Sequence, residues 1–135
     1  MKGATTLAGR LVERFGPPDA ARLAEANLTV IGIPKARAES IRVFARAVAD
    51  GRIRFDGSAT SEEMIGRMCE LRGIGPWTAN YIAMRALGDP DAFPASDLGL
   101  LKAAGLSSEK RLAEIAEAWR PWRSYAAMYL WESLH

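Results

Sequence analysis

The chain holds one cysteine, Cys69, and one histidine, His135, the last of its 135 residues. A lone cysteine closes no internal disulfide, and without a cysteine or histidine cluster the common zinc and iron–sulfur ligand sets are excluded. A histidine at the very end leaves no Ser/His/Asp or Cys/His arrangement, which sets nucleophilic hydrolase chemistry aside. Cys69 is therefore expected to fill core in a reducing compartment. Charge of one sign is scarce as well. Eighteen Lys and Arg face sixteen Asp and Glu, a net charge of only +2, whereas dedicated nucleic-acid binders are commonly strongly basic. No apolar run approaches the roughly 20 residues that span a bilayer, and no signal-peptide pattern opens the chain, so a cytosolic protein without a membrane partner is expected.

What is present is apolar residue at helical spacing. With 49% hydrophobic and 25% charged residues the composition is globular, and the length suits a single domain over residues 1–135 with one core. Ile41, Phe44, Ala45 and Val48 mark one helical face; Met64, Ile65, Met68 and Leu71 mark another. No segment alternates with period two over a strand length, so the fold class is all-α, a helical bundle. Punctuation by Gly16-Pro17-Pro18, Gly32-Ile33-Pro34, Gly51, Gly57, Gly73-Ile74-Gly75, Gly88, Pro94 and Gly105 divides it into helices near 3–15, 19–26, 35–50, 60–70, 76–87, 97–104 and 108–132, the last broken at Pro121. Val30-Ile31-Gly32-Ile33-Pro34 weakly echoes the Gly73-Ile74-Gly75-Pro76 turn.

Chemistry concentrates between Leu71 and Asp97. Gly73 and Gly75 put no side chain between the turn and a phosphate, and the helix after them points amide donors outward. The turn matches neither the P-loop nor the dinucleotide fingerprint. Pro76 suits a first helical position, which places Trp77, Tyr81 and Met84 on one stripe at i, i+4 and i+7. Such a pair of rings is either core packing or a wall that stacks a base and attracts a cation. Asp97 at a helix start is either an N-terminal cap or, if Ser96 caps instead, a free carboxylate able to stabilise positive charge on a sugar. The acidic pairs Glu62-Glu63 and Asp89/Asp91 read as a first helical turn and a solvated loop. Five of eleven aromatics fall between Trp119 and Trp131. Much of that stretch is expected in the core, but Trp122, Tyr125 and Tyr129 fall on one face and Trp131 with Met128 and Leu134 on another, so at least one face is expected to border a cavity.

Leu71-Arg-Gly-Ile-Gly-Pro-Trp-Thr-Ala-Asn-Tyr81 with the later Phe93-Pro-Ala-Ser-Asp97 resembles the helix-hairpin-helix, Gly/Pro-loop, Asp superfamily of DNA glycosylases, within it the bacterial 3-methyladenine DNA glycosylase II branch. Ile33-Pro-Lys-Ala-Arg-Ala-Glu39 and Trp119-Arg-Pro-Trp-Arg-Ser-Tyr125 read like that branch too, so the likeness runs from about Ala4 to Trp131. It implies a catalytic Asp97 and a base-binding wall of Trp77, Tyr81 and Trp131. It also implies a phosphate-binding hairpin of Gly73, Ile74 and Gly75 with Thr78. The main-chain carbonyls of Leu71 and Ile74 would hold a monovalent cation, sodium or potassium, and no cofactor is required. Bifunctional relatives carry a lysine where Trp77 stands, so the resemblance implies a monofunctional enzyme that excises alkylated purines from double-stranded DNA in base excision repair, in the bacterial cytoplasm near the nucleoid.

The resemblance also implies that this chain starts inside a family helix. The family's N-terminal β-rich domain and the segment bearing the base-flipping wedge would precede it. Two alternatives to an active glycosylase follow: a catalytically silent duplex-binding helix-hairpin-helix fragment, and a fragment that self-associates through an uncovered core.

Overall fold

Residues 2–135 are described by the computed structural model, and every regular element among them is helical. The eight α-helices are α1 (Lys2–Phe15), α2 (Ala20–Glu25), α3 (Lys35–Ala49), α4 (Ser61–Cys69), α5 (Pro76–Arg85), α6 (Leu98–Ala103), α7 (Glu109–Ala116) and α8 (Arg123–Glu132). Single 3-10 turns lie at Leu28–Ile31 and Glu117–Trp119. The expected boundaries hold to within one or two residues, and the expected long last helix divides into α7, a 3-10 turn and α8 around Pro121, which has no N–H to donate.

The chain gathers into two units, Met1–Arg54 with Glu70–Ile74, and Phe55–Cys69 with Gly75–His135. In the first, Leu7, Leu11 and Phe15 form an i, i+4, i+8 stripe on α1 and pack on buried Leu28, Ile31, Ile33 and Ala38. Gly32 closes the 3-10 turn with φ of 94°, a conformation that glycine adopts without a Cβ clash. Gly73 has φ of 85°, and a Cβ there would lie 1.9 Å from Ser40 Oγ on α3. The hairpin glycine is thus required twice, by its backbone and by close approach.

In the second unit, Ala83, Met84, Phe93, Leu100, Leu112, Ala116 and Ala127 are buried, with Trp119, Met128 and Trp131 packed against them. Phe93 meets Trp119 edge to face at 5.9 Å. Thr60 and Glu63 form a reciprocal capping box at the start of α4: Glu63 N donates to Thr60 Oγ1 at 3.1 Å and Thr60 N to Glu63 Oε2 at 3.0 Å. Ser108 caps α7 through Arg111 N.

One expectation about side-chain burial fails here. Cys69 is exposed: the buried stripe of α4 runs through Met64 and Met68, and the next residue along is rotated by about 100° away from it. Trp122, Tyr125 and Tyr129 share a face at α8, and it is this face of the two that is open, with exposures of 58%, 59% and 79%. They border a shallow groove with Trp119, Arg120 and Leu130. The buried side of α8 carries Ser124 and Ala127 instead.

Candidate functional site

Proline at the first position of α5 follows Gly75, whose backbone is extended and caps the helix without a side chain. The stripe Trp77, Tyr81, Met84 then descends from surface to core: Trp77 is 40% exposed, Tyr81 half-buried and Met84 buried. Trp77 stacks on Tyr81 with ring centroids 5.3 Å apart and planes 14° from parallel. Trp131 leans on Tyr81 at 6.1 Å and 58°. Arg85, four residues beyond Tyr81, lies over its ring at 5.6 Å from the centroid. Tyr81 thus touches both of the other expected wall residues.

Asp97 stands where they meet. It is itself the N-cap of α6, its Oδ1 accepting from Leu100 N at 2.8 Å, while Ser96 is an exposed neighbour. The capping reading and the free-carboxylate reading are thus not alternatives, because one carboxylate offers about four acceptor positions. Oδ1 also accepts from Trp131 Nε1 at 2.8 Å, and Oδ2 accepts from Trp77 Nε1 at 2.7 Å. Burial pushes the Asp97 carboxyl up, but the N–H groups of Trp131, Trp77, Leu100 and Gly99 outweigh it and hold the carboxyl below its ordinary value of 3.8. Asp97 is a carboxylate across the neutral range.

Several residues that the motif reading passed over build this geometry. A Cβ on Gly99 would lie 3.0 Å from Asp97 Oδ1 and 3.3 Å from the Trp131 ring, so a side chain there would press on both partners of the Trp131–Asp97 hydrogen bond. A glycine inside a helical segment without any turn was the available signal. Asn80 donates from Nδ2 to Pro76 O at 2.8 Å and accepts at Oδ1 from Phe93 N at 3.2 Å, tying the loop before Asp97 to α5. Asp91, expected in a solvated loop, accepts from Arg123 Nε at 3.0 Å, Arg123 Nη2 at 3.3 Å and Arg120 Nη1 at 2.8 Å. Buried Ser124 shares its hydroxyl between Asp89 O at 2.7 Å and Ala92 O at 2.6 Å, and its N–H donates to Pro90 O. These bonds rivet the loop 89–92 to the start of α8.

Ile74 N donates to Leu71 O at 3.1 Å and closes the hairpin turn, so one of the two carbonyls expected to face a cation already accepts a hydrogen bond. Thr78 is half-buried in the first turn of α5. A cleft of about 490 Å³ opens beside Trp77, lined also by Gly75, Pro76, Phe93, Glu109 and Lys110. Among the described residues no His, Cys, Asp and Glu side chains gather into a metal-binding group, and no helix is long and apolar enough to cross a membrane.

No protein-family profile matches the chain. Individual proteins do. The probable bifunctional transcriptional activator/DNA repair enzyme AlkA of Mycobacterium tuberculosis is 43% identical over 98% of this chain and 30% of its own length. DNA-3-methyladenine glycosylase of Bacillus subtilis is 34% identical over 85% of this chain and 41% of its own, and DNA-3-methyladenine glycosylase 2 of Escherichia coli is 32% identical over 84% and 42%. The chain thus spans less than half the length of these relatives. Among solved structures, DNA-3-methyladenine glycosidase from Bacillus halodurans superposes with a TM-score of 0.82 at 28% identity, over 98% of this chain and 68% of that one. The Schizosaccharomyces pombe 3-methyladenine DNA glycosylase Mag1, solved with abasic DNA, has the same fold, with a TM-score of 0.87 at 23% identity over 97% and 71% of the two chains.

Proposed function

The chain belongs to the 3-methyladenine branch of the helix-hairpin-helix DNA glycosylases, and from that premise and the geometry at Asp97 we propose that it is a monofunctional glycosylase acting on alkylated purines in duplex DNA. The observation that carries this reading is the carboxylate with an indole N–H on each oxygen, at 2.7 and 2.8 Å. An N-alkylated purine is a cation and a good leaving group. As its glycosidic bond breaks, the bonding pair goes to the base and neutralises it, and the positive charge moves to the sugar. Asp97 stabilises that charge, water adds to C1′, and a proton is released to solvent. With an indole N–H on each oxygen the carboxylate is held in its ionised form, which suits it to electrostatic stabilisation of that charge. The wall of Trp77, Tyr81 and Trp131 offers π surface to the base. Trp77 occupies the position of the lysine in bifunctional relatives, so this chain has no amine there to form a Schiff base.

Duplex DNA as partner is supported by where the charge lies. The net +2 divides unevenly: the hairpin-bearing unit has eleven Lys and Arg against six Asp and Glu, net +5, and the Asp97-bearing unit seven against ten, net −3. Phosphate contact is assigned to the hairpin amides, those of Gly73 and Ile74 at the end of the first unit and that of Gly75 where the second resumes, and the Leu71 and Ile74 carbonyls would hold a monovalent cation. Charge stabilisation belongs to the second.

The test is release of base from methylated duplex DNA by the chain and by Asp97→Asn. Release by the first and not by the second supports the proposal. No release by either, with salt-sensitive binding that ignores damage, replaces it with the duplex-binding reading.

A further inference from the structure

The donors around Asp97 share a property that most carboxylate partners lack: none carries a charge. Its Oδ1 is engaged by Trp131 Nε1 and Leu100 N, and its Oδ2 by Trp77 Nε1. The charged residues of the surrounding elements are not its partners: Arg123 at the start of α8 is committed to Asp91, and Glu109 and Lys110 of α7 line the cleft beside Trp77 without a bond to Asp97. On α5, Arg85 lies over the Tyr81 ring; on α6, Lys102 is in the last turn; on α8, Glu132 follows Trp131 in an exposed position. Among the described residues, none of these hydrogen-bonds or ion-pairs with Asp97.

Burial does not force this choice of donor. Trp77 is 40% exposed, so it is not a core residue obliged to satisfy a deeply buried N–H, yet that N–H is directed at Oδ2. A carboxylate paired with a guanidinium is close to neutral when viewed from a few ångströms away. One held by N–H dipoles is equally well oriented and keeps a full negative charge.

We propose that Trp77 and Trp131 are positioning residues that act through their indole N–H groups: together they fix the Asp97 carboxylate and leave its charge unneutralised for a developing cation. The consequence for catalysis rests on the glycosylase reading above, but the arrangement itself is testable on the free protein. Gly99 borders the same device, since a side chain there would crowd the Trp131 ring at 3.3 Å.

The experiment is a carbon-detected NMR titration of the aspartate carboxyls without DNA, with Asp97 identified by the signal lost in Asp97→Asn. Trp77→Phe and Trp131→Phe keep a ring and remove the N–H; Trp122→Phe, on the open face of α8, is the control. In wild type Asp97 titrates below 3.8, the ordinary value. Each of the first two variants moves its midpoint upward and the control does not. Trp77 lies at the surface, so its variant tests the idea even if Trp131→Phe folds poorly. An Asp97 midpoint unmoved by Trp77→Phe, in a protein whose circular dichroism is unchanged, overturns the proposal. In single-turnover base release the same variants slow the reaction about tenfold to a hundredfold and move the acid limb of the rate profile to higher pH. A titration that responds while wild type releases no base removes the glycosylase reading and keeps the donor assignment. Base release with a titration that does not respond does the reverse.

Discussion

Asp91 and Asp97 are six residues apart on one connection between α5 and α6, and both carboxyls lie below their ordinary value. They reach that state by opposite means. At Asp91, burial pushes the carboxyl up and the side-chain and backbone bonds from Arg123, with the charges of Arg123 and Arg120, bring it down. At Asp97 the opposing groups are dipoles alone. The first arrangement cancels charge and locks a loop to α8; the second preserves charge and aims it. Surroundings, rather than residue type, separate a structural carboxylate from a candidate catalytic one.

The largest effect that would sharpen the contrast is expected from Asp97→Asn. Asparagine keeps the cap and the Trp131 bond through its one oxygen but sets an N–H against that of Trp77, so stability measured by denaturant should fall by no more than about 1 kcal/mol, while base release should fall by about a hundredfold or more. A large loss of stability instead would make Asp97 another Asp91. The converse is expected of Asp91→Asn: stability lower by about 2 kcal/mol, less than for a fully buried pair because a fifth of the Asp91 side chain is still exposed. Its pH signature follows from the sign of the shift. A carboxyl depressed in the folded state contributes stability above its ordinary value, and that contribution disappears as pH falls through the lower folded value. Wild type should therefore lose stability on acidification below about pH 4, and Asp91→Asn should lose less over the same range, as followed by thermal unfolding.

Trp77→Arg would break the distinction directly. Arginine offers N–H donors to Oδ2, so the Asp97 titration should remain low while base release drops on the order of tenfold, because the charge is now cancelled. Retained release would show that neutralisation does not matter. The smallest effect is expected on the open aromatic face of α8. Tyr129→Ser, at 79% exposure, should shift stability by no more than about 0.5 kcal/mol and leave base release unchanged.

Much of this was legible from residue order, and the part that was not has identifiable causes. Helix positions follow from apolar spacing and from Gly and Pro, which act through the local backbone. The demand for glycine at 73 was also readable from its turn, although its contact with Ser40 was not. Trp77, Tyr81, Trp131 and Asp97 were all named as site residues, but the bond between the indoles and the carboxylate was invisible, because it joins residues 20 and 34 positions apart. Asp91 was misread for the same reason: its arginine partner Arg123 lies 32 positions downstream. Residue type alone points Cys69 to the core, yet burial depends on which side of a helix meets a neighbour.

By itself the sequence determined an all-helical chain, a tight glycine hairpin opening an aromatic helix, and the residue types a charge-stabilising site needs. Short-range backbone sterics and amphipathic periodicity are written locally, so they can be read locally. Tertiary structure alone decided which aspartate would be neutralised and which would keep its charge. That depends on whether the folded chain brings a guanidinium or an indole N–H within about 3 Å, a distance set by packing between segments far apart in the chain.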